Sequence, residues 1–228
     1  MLVLANDDGG LYSSLQDMWR RYMHSSPQID CYFIKGRPDQ SEEVLLEGDS
    51  LYMRIEEGYG EVPWKKTLAA LRYFEPRFKD YAFVYRTNLS THLHFPKYLE
   101  YCKSLPRQGL CSALVHWNHG VHFPSGSGFT LSMDLAKRLL DDPPQHFIMD
   151  DVTVGVALAK WGIQIRSAPR IDFCKLFFKK EVLAKVATAG DAFQFRVKTP
   201  EKYRFHTDIE MHGWLYEVNY LTRTCSHT

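Results

Sequence analysis

The chain has 228 residues, a formal net charge of +1 and 45% hydrophobic residues. This length is sufficient for one domain with a substantial core, and the balanced charge gives no general attraction to nucleic acid or an anionic membrane. The five cysteines are widely spaced without a Cys-x-x-Cys pair, which argues against a disulfide framework or zinc–thiolate site. No signal peptide or apolar run of ~18 residues is recognisable, so we expect a cytoplasmic protein without membrane insertion.

Strand-like and helix-like segments alternate along the chain, and this alternation predicts an α/β fold. Strands are predicted at 2–5, 29–34, 51–55, 81–85, 110–116, 128–132, 164–167 and 193–198. Helices are predicted at 15–23, from 63, from 96, at 132–140, 150–161 and 207–220. The segment 36–50 is rich in turn-forming residues and predicts a loop. No linker composition interrupts the chain, so we expect a single domain.

Two adjacent acids, Asp150 and Asp151, stand at the predicted start of a helix. The helix dipole and free backbone amides stabilise a carboxylate there, so capping alone accounts for one of the two. The other is available as a general base for a small polar substrate. Upstream, Ser125-Gly126-Ser127-Gly128 predicts a small-residue loop that permits close backbone approach to a ligand. A plain turn between strands is the simpler explanation of that segment.

Polar clusters follow two of the predicted strands. Arg86-Thr87-Asn88 follows the strand 81–85, and Asn6-Asp7-Asp8 follows the first strand. The carboxyl ends of strands line the ligand crevice in open α/β sheets, so both clusters are candidates for contact with a nucleotide. Arg86 is suited to bind a diphosphate through two hydrogen bonds. Local caps and polar turns explain the same residues without a ligand.

A group of histidines and a group of basic residues are further candidate binding sites. His116, His119 and His122 have a spacing that suggests a metal site, but the residues between them predict a turn between strands. Hydrogen bonding of His116 to a substrate is therefore favoured over metal binding. A basic group near the C-terminus is able to contact phosphate or to form a solvated face. Its members are Arg196, Lys198, Lys202 and Arg204.

Five segments, taken in order, resemble the GT-A type glycosyltransferases, most closely the β-1,3-galactosyltransferase and fringe group. They are Gly48–Tyr52, Lys65–Leu68, Tyr81–Ser90, Ser125–Ser132 and Asp150–Gly155, within about residues 45–165. The resemblance implies a GT-A-like, Rossmann-related mixed sheet flanked by helices in a single domain. It also implies a nucleotide-binding part over about 1–120 and an acceptor and catalytic part over about 121–228.

The resemblance implies an inverting transfer of a galactose-like hexose from a UDP-sugar to a hydroxyl of a glycan or glycoprotein acceptor. Asp151 is the expected general base, and Asp150 lies beside it. Together with the strand-end clusters, the expected donor-binding residues are Asn6, Asp7, Asp8, Lys66, Arg86, Thr87 and Asn88. The expected acceptor-binding residues are Ser125, Gly126, Ser127, Gly128 and His116.

The family's Asp-x-Asp motif, which holds a divalent metal on the diphosphate, matches Arg86-Thr87-Asn88 in this chain. Both acids are absent, so Mn²⁺ or Mg²⁺ at Asn88 is optional, and Arg86 is an alternative charge partner for the diphosphate. The missing acids favour a second hypothesis, a catalytically inactive glycan-binding module, which the retained acid pair disfavours. A nucleic-acid-associated protein is a third hypothesis, and the near-neutral charge argues against a nucleic-acid partner.

Overall fold

The structure is a computed structural model, and it describes residues 1–7, 10–118, 120–145 and 149–222. The chain divides into two compact units, each built from three segments of sequence. The first unit contains the described residues of 1–9, 28–88 and 105–168. The second unit contains those of 10–27, 89–104 and 169–228. The functional division expected near residue 120 stays a prediction.

The elements below are those of the described ranges. The strands are β1 (Leu2–Asn6), β2 (Asp30–Gly36), β3 (Val44–Glu47), β4 (Ser50–Met53), β5 (Phe83–Asn88), β6 (Thr91–Leu93), β7 (Cys111–Asn118), β8 (Val121–Ser132), β9 (Ile165–Ser167), β10 (Arg170–Phe173) and β11 (Gln194–Val197). The α-helices are α1 (Gln16–Arg20), α2 (Glu61–Phe74), α3 (Phe95–Lys103), α4 (Met133–Asp141), α5 (Asp150–Lys160), α6 (Lys179–Ala187) and α7 (Arg204–Tyr216). None of these helices has both the length and the apolar character that crossing a membrane requires.

The first unit is a mixed sheet whose described strands follow the order β3-β4-β2-β1-β5-β8-β7-β9. Strands β4, β2, β1 and β5 run parallel, whereas β8 is antiparallel to both β5 and β7. Helices α2, α4 and α5 pack on this sheet and bury its apolar residues. The central strand β1 is fully buried from Leu2 to Ala5, as expected for a parallel strand covered on both faces. The predicted α/β fold, a central mixed sheet flanked by helices, is confirmed.

The sheet direction decides where the polar strand ends meet. Because β1, β2, β4 and β5 are parallel, their carboxyl ends at Asn6, Gly36, Met53 and Asn88 lie at one edge. Asn6 and Asn88 are paired in register on neighbouring strands. The two polar clusters predicted at strand ends are therefore neighbours in the first unit.

Helix α5 packs closely against β8 through Gly155. A Cβ atom at position 155 would lie 2.4 Å from the Phe123 Cβ and 2.8 Å from the His122 carbonyl oxygen. Such distances are too short for any side chain, so glycine is required for this helix–strand contact. The packing holds the N-terminus of α5, with Asp150 and Asp151, at a defined position along β8.

The second unit has its own small sheet, with β11 between β10 and β6. Strand β11 is parallel to β10 and antiparallel to β6. Its core is formed by buried side chains from these strands and from α6 and α7. They are Phe173, Val182, Phe195, Val197, Met211 and Leu215. The strand predicted at 193–198 is confirmed, and β6, β10 and α6 are elements that the sequence reasoning did not predict.

Two local predictions were wrong because pairing overrode composition. The loop predicted at 36–50 contains β3, whose residues Val44–Glu47 pair antiparallel with β4. The small-residue loop predicted at 125–128 lies inside β8, where Gly128 is paired with Thr87 of β5. Small residues disfavour an isolated strand, but the paired residues on both sides of this segment, Pro124 with β7 and Phe129 with β5 and β7, keep it extended within β8.

Helix boundaries were predicted with mixed success. The helix predicted at 15–23 is shorter: a 3₁₀ segment at Gly10–Leu15 precedes α1, and α1 ends at Arg20, where turns follow. Ser132 stands at the N-cap position of α4, but its hydroxyl accepts a hydrogen bond from the Leu110 N–H at 2.9 Å instead of capping the helix. Helix α5 begins at Asp150 as predicted, and Gly162 follows its end with a φ of 69°.

Candidate functional site

The Asp151 carboxylate lies at the N-terminus of α5, against β8. Its Oδ2 accepts a hydrogen bond from the Gly126 N–H at 3.0 Å, and its Oδ1 accepts one from the Val152 N–H at 2.9 Å. A Cβ atom at position 126 would lie 2.9 Å from Asp151 Oδ2. Glycine at this position therefore permits the close approach of the carboxylate to the strand backbone. The fold thus brings together the acid pair and the small-residue segment.

The neighbouring acid, Asp150, forms an ion pair with the Arg86 guanidinium. Arg86 Nη1 also donates hydrogen bonds to Asn88 Oδ1, at 2.8 Å, and to the Gly126 carbonyl oxygen. The Arg86 side chain is only 3% exposed, whereas that of Asp150 is 16% exposed. One buried guanidinium therefore links β5, β8 and the start of α5, and it balances a carboxylate that would otherwise be buried without a partner.

Two effects raise the pKa of Asp151 above its ordinary value. Burial of the carboxylate is the larger cause, and the negative charge of Asp150 is the second. The Gly126 N–H and the Arg86 guanidinium act in the opposite direction but do not cancel them. A carboxylate with a raised pKa is a stronger base than an exposed one, which suits it to accept a proton.

The small side chains on β5 and β8 form the buried support of this site. Thr87 Oγ1 donates a hydrogen bond to the Ser127 carbonyl oxygen at 2.7 Å. The hydroxyl oxygens of Ser125 and Ser127 are 2.9 Å apart. Thr87, Ser125 and Ser127 are all buried, as are Gly126 and Gly128. His116 on β7 is half-buried, with its ring centroid 5.7 Å from that of Phe123.

A second polar cluster surrounds Lys66, at the carboxyl ends of β1 and β2. Lys66 is fully buried, and its Nζ donates hydrogen bonds to Glu57 Oε2 at 2.5 Å and to the Asp7 carbonyl oxygen at 2.6 Å. The Asp7 carboxylate is also buried, with Oδ2 3.7 Å from Lys35 Nζ. Asn6 is buried beside it at the end of β1.

Sequence reasoning missed Lys35 and Glu57 as members of this cluster. Lys35 lies near the carboxyl end of β2, so the rule that ligands meet strand ends was a signal that could have found it. Glu57 lies in the segment after β4, and no local pattern indicated that it would meet Lys66. Two other residues considered from the sequence, Asp8 and His119, lie outside the described residues.

Solvent exposure separates the predicted site residues into two groups. Asn88, His116, Asp150 and Asp151 are half-buried, so part of each residue is exposed to solvent. The remaining described members are buried: Asn6, Asp7, Lys66, Arg86, Thr87, Ser125, Gly126, Ser127 and Gly128. Direct contact between Arg86 and a diphosphate would require a phosphate oxygen to replace the Asp150 carboxylate. The ligand roles of both groups stay predictions.

The residues at the positions of the family's metal motif do not fit a divalent ion. The Asn88 side-chain oxygen accepts a hydrogen bond from Arg86, so a fixed positive charge already lies against it. The Thr87 hydroxyl is buried and donates to the Ser127 carbonyl oxygen. Within the described ranges, no group of three or more His, Cys, Asp or Glu side chains is arranged to hold a metal ion. The Asn88 oxygen at the end of β5 binds the Arg86 guanidinium instead.

Comparison with known proteins shows the fold. No protein-family model and no curated protein sequence matches the chain. Among solved structures, the chain is similar to a glycosyltransferase involved in the glycosylation of the major capsid of PBCV-1. The TM-score is 0.51 at 11% sequence identity, and the match covers 93% of this chain and 97% of the other. The chain shares its fold with that glycosyltransferase.

Proposed function

We propose that this chain is a glycosyltransferase that moves a galactose-like hexose from a UDP-sugar to a hydroxyl of a glycan or glycoprotein acceptor. One observation carries the proposal: a half-buried carboxylate with a raised pKa, Asp151, lies beside the Arg86–Asp150 ion pair. It does so in a fold shared with a solved glycosyltransferase. The membership of the β-1,3-galactosyltransferase and fringe group suggested by the sequence is part of this proposal.

In the proposed reaction, Asp151 accepts the proton of the acceptor hydroxyl. The acceptor oxygen attacks the anomeric carbon on the face opposite the leaving UDP, and the bond from that carbon to the diphosphate oxygen breaks. The diphosphate leaves with the electron pair, so the configuration at the sugar inverts. Proton removal by a positioned base contributes about 10²–10⁴-fold to such a rate.

The Arg86–Asp150 pair has a distinct role in this proposal. Arg86 balances the charge of Asp150 next to the base and fixes the Gly126 carbonyl, so it holds the strand against which Asp151 lies. This makes Arg86 a positioning residue, and a diphosphate that bound its guanidinium in place of Asp150 would end that role. Because the donor set at Asn88 does not fit a divalent ion, no step of the proposed reaction uses a metal.

The proposed base is tested by Asp151→Asn, which keeps the shape of the side chain but removes its basicity. We expect transfer from a UDP-hexose to fall about 10²–10⁴-fold while UDP binding, measured by calorimetry, stays within about twofold. Asp134→Asn is the matched control, since Asp134 is also in the first turn of a helix and accepts the Gly109 N–H at 2.9 Å. Equal transfer rates for the wild type and the Asp151 variant would refute the assignment.

The pH dependence of transfer gives a second test of the same group. Asp151 must be ionised to accept a proton, and its pKa is raised. Activity should therefore fall as the pH decreases through a value higher than that of an ordinary aspartate. A rate that stays level down to the ordinary aspartate range would contradict the role of Asp151.

A catalytically inactive glycan-binding module is the second candidate, because Arg86-Thr87-Asn88 lacks both acids of the family's metal motif. The two candidates differ in turnover and not in glycan affinity. A thermal-shift screen of nucleotide sugars, with and without Mn²⁺, identifies a donor because a bound ligand raises the melting temperature. Glycan binding without UDP release from any donor that binds would favour the inactive module.

A further inference from the structure

A short loop of the second unit exposes two large apolar side chains close together. The segment Cys174–Phe178 connects β10 to α6, and we call it the Phe178 loop. The Phe178 side chain is 81% exposed and that of Leu176 is 49% exposed. Single apolar residues are common on protein surfaces, but two within three residues of one loop form a local apolar patch.

Leu176 and Phe178 are exposed although other aromatic side chains next to them are packed in the core of the second unit. Phe173, the last residue of β10, is fully buried, and its ring contacts that of the half-buried Phe177 at a centroid distance of 5.3 Å. Inward-facing aromatic rings therefore anchor the loop to the second unit. Leu176 and Phe178 are the large apolar members of the segment that remain exposed to solvent.

The backbone at Phe178 is held by the first turn of α6. The Phe178 N–H donates a hydrogen bond to Glu181 Oε2 at 2.7 Å, and the Phe178 carbonyl accepts bonds from the N–H groups of Glu181 and Val182. This cap fixes the residue from both sides. The ring is therefore presented from a firmly held position, and little ordering is needed when it contacts a partner.

Lysines surround the exposed pair. Lys175, Lys179 and Lys180 are all exposed. The acids bonded to this segment are Glu181 and Glu217, so three lysines against two acids leave a net positive charge around the loop. Lys179 is paired with Glu217 at 2.6 Å, and Lys175 lies 5.5 Å from the Phe177 ring centroid. Within the described part of the chain, Lys180 has no ion-pair partner.

We propose that the Phe178 loop docks the protein on the surface of an anionic phospholipid membrane. The headgroup layer supplies negative charge for the lysines, and the acyl chains directly below it accept Leu176 and Phe178. Either contact alone gives weak binding, and the two together give stable peripheral association. The proposal does not depend on the proposed transferase activity, because it concerns another surface and another partner.

The loop is tested by sedimentation of the full chain with vesicles of phosphatidylcholine, alone or mixed with phosphatidylserine. We expect binding to the anionic vesicles only, and weaker binding as salt is added. Replacing both Leu176 and Phe178 with Ser should reduce binding about tenfold, since the apolar contact is lost. Lys180→Glu should reduce binding by a similar factor through a change of two charges.

Matched controls separate the loop from general surface properties. Tyr59→Ser removes an aromatic side chain that is 84% exposed in the first unit, and Lys103→Glu reverses an exposed lysine on α3. Neither should change vesicle binding, and unaltered melting temperatures would show that all variants fold. The proposal is overturned if the wild type does not bind anionic vesicles or if the double variant binds equally well. It is also overturned if the chain self-associates in solution through Leu176 and Phe178, because the patch is then a protein interface.

Discussion

One buried polar group from each unit shows two opposite ways of placing polar side chains inside a protein. In the first unit, Asp150 and Asp151 are half-buried, and the charge of Asp150 is balanced by Arg86. In the second unit, His92 and His212 are both fully buried, with ring centroids 6.1 Å apart. The first group keeps its charges by pairing and by partial access to solvent, whereas the second group is neutral.

Burial is the main reason for the neutral state of the histidines. It lowers the pKa of His212 to about 4. It also lowers the pKa of His92 well below its ordinary value, and electrostatic repulsion from His212 and His94 lowers the pKa of His92 further. Tyr22 and Tyr220 pack against His92, at centroid distances of 4.6 and 5.9 Å. Such histidines act as core residues. The comparison therefore supports the proposal that the reactive group is the pair of half-buried carboxylates and not the buried histidines.

Removal of Arg86 should have the largest effect on stability. Arg86→Met leaves Asp150 without its partner, and breaking a buried pair in this way costs about 3–5 kcal/mol. Urea unfolding measures the change. Arg77→Met is the control, because Arg77 pairs with Asp30 at an exposed site, where an ion pair contributes at most about 1 kcal/mol. Similar losses in the two variants would show that the Arg86 pair is not energetically buried.

Acid should destabilise the chain through the histidines of the second unit. Their folded pKa values lie below those of the unfolded state, so their contribution is complete above the unfolded pKa and is lost as the pH falls below it. Between about pH 7.5 and about pH 5.5 we expect a loss of ~1.4 kcal/mol for each histidine. Urea unfolding at both pH values measures the loss. The loss should be smaller in the double variant with His92→Gln and His212→Gln. His206→Gln, at an exposed position, is the control. The prediction is contradicted if the stability of the double variant depends on pH as strongly as that of the wild type.

Replacing a glycine with alanine should change stability in opposite directions in the two units, by smaller amounts than the changes above. Gly126→Ala places a Cβ atom against Asp151 Oδ2, so we expect a loss of about 1–3 kcal/mol and a fall in transfer activity. Gly213→Ala on α7 meets only Met18 Cε, at 3.8 Å, and should stabilise the chain by up to about 1 kcal/mol through helix propensity. Thermal unfolding of both variants measures these effects. A stabilised Gly126 variant would mean that the carboxylate is not confined by the strand.

Local patterns were sufficient for much of the fold. The apolar run Leu2–Ala5 predicted the central strand, and the acids at 150–151 marked the start of α5. These signals are local because strand and helix periodicities and caps depend on residues within a few positions. The alternation of such segments also predicted the α/β class.

The sequence by itself thus determined the α/β class, most elements of the large sheet and the residue types available for chemistry, whereas β3, β6, β10 and α6 were not predicted. Only the tertiary structure decided that Arg86 meets Asp150, that Glu57 meets Lys66 and that the segment 125–128 is a strand against Asp151. It also decided which polar side chains are buried and which remain accessible. The physical reason is that ion pairing, strand pairing and desolvation depend on which distant segments come into contact, and composition near each residue does not encode that choice.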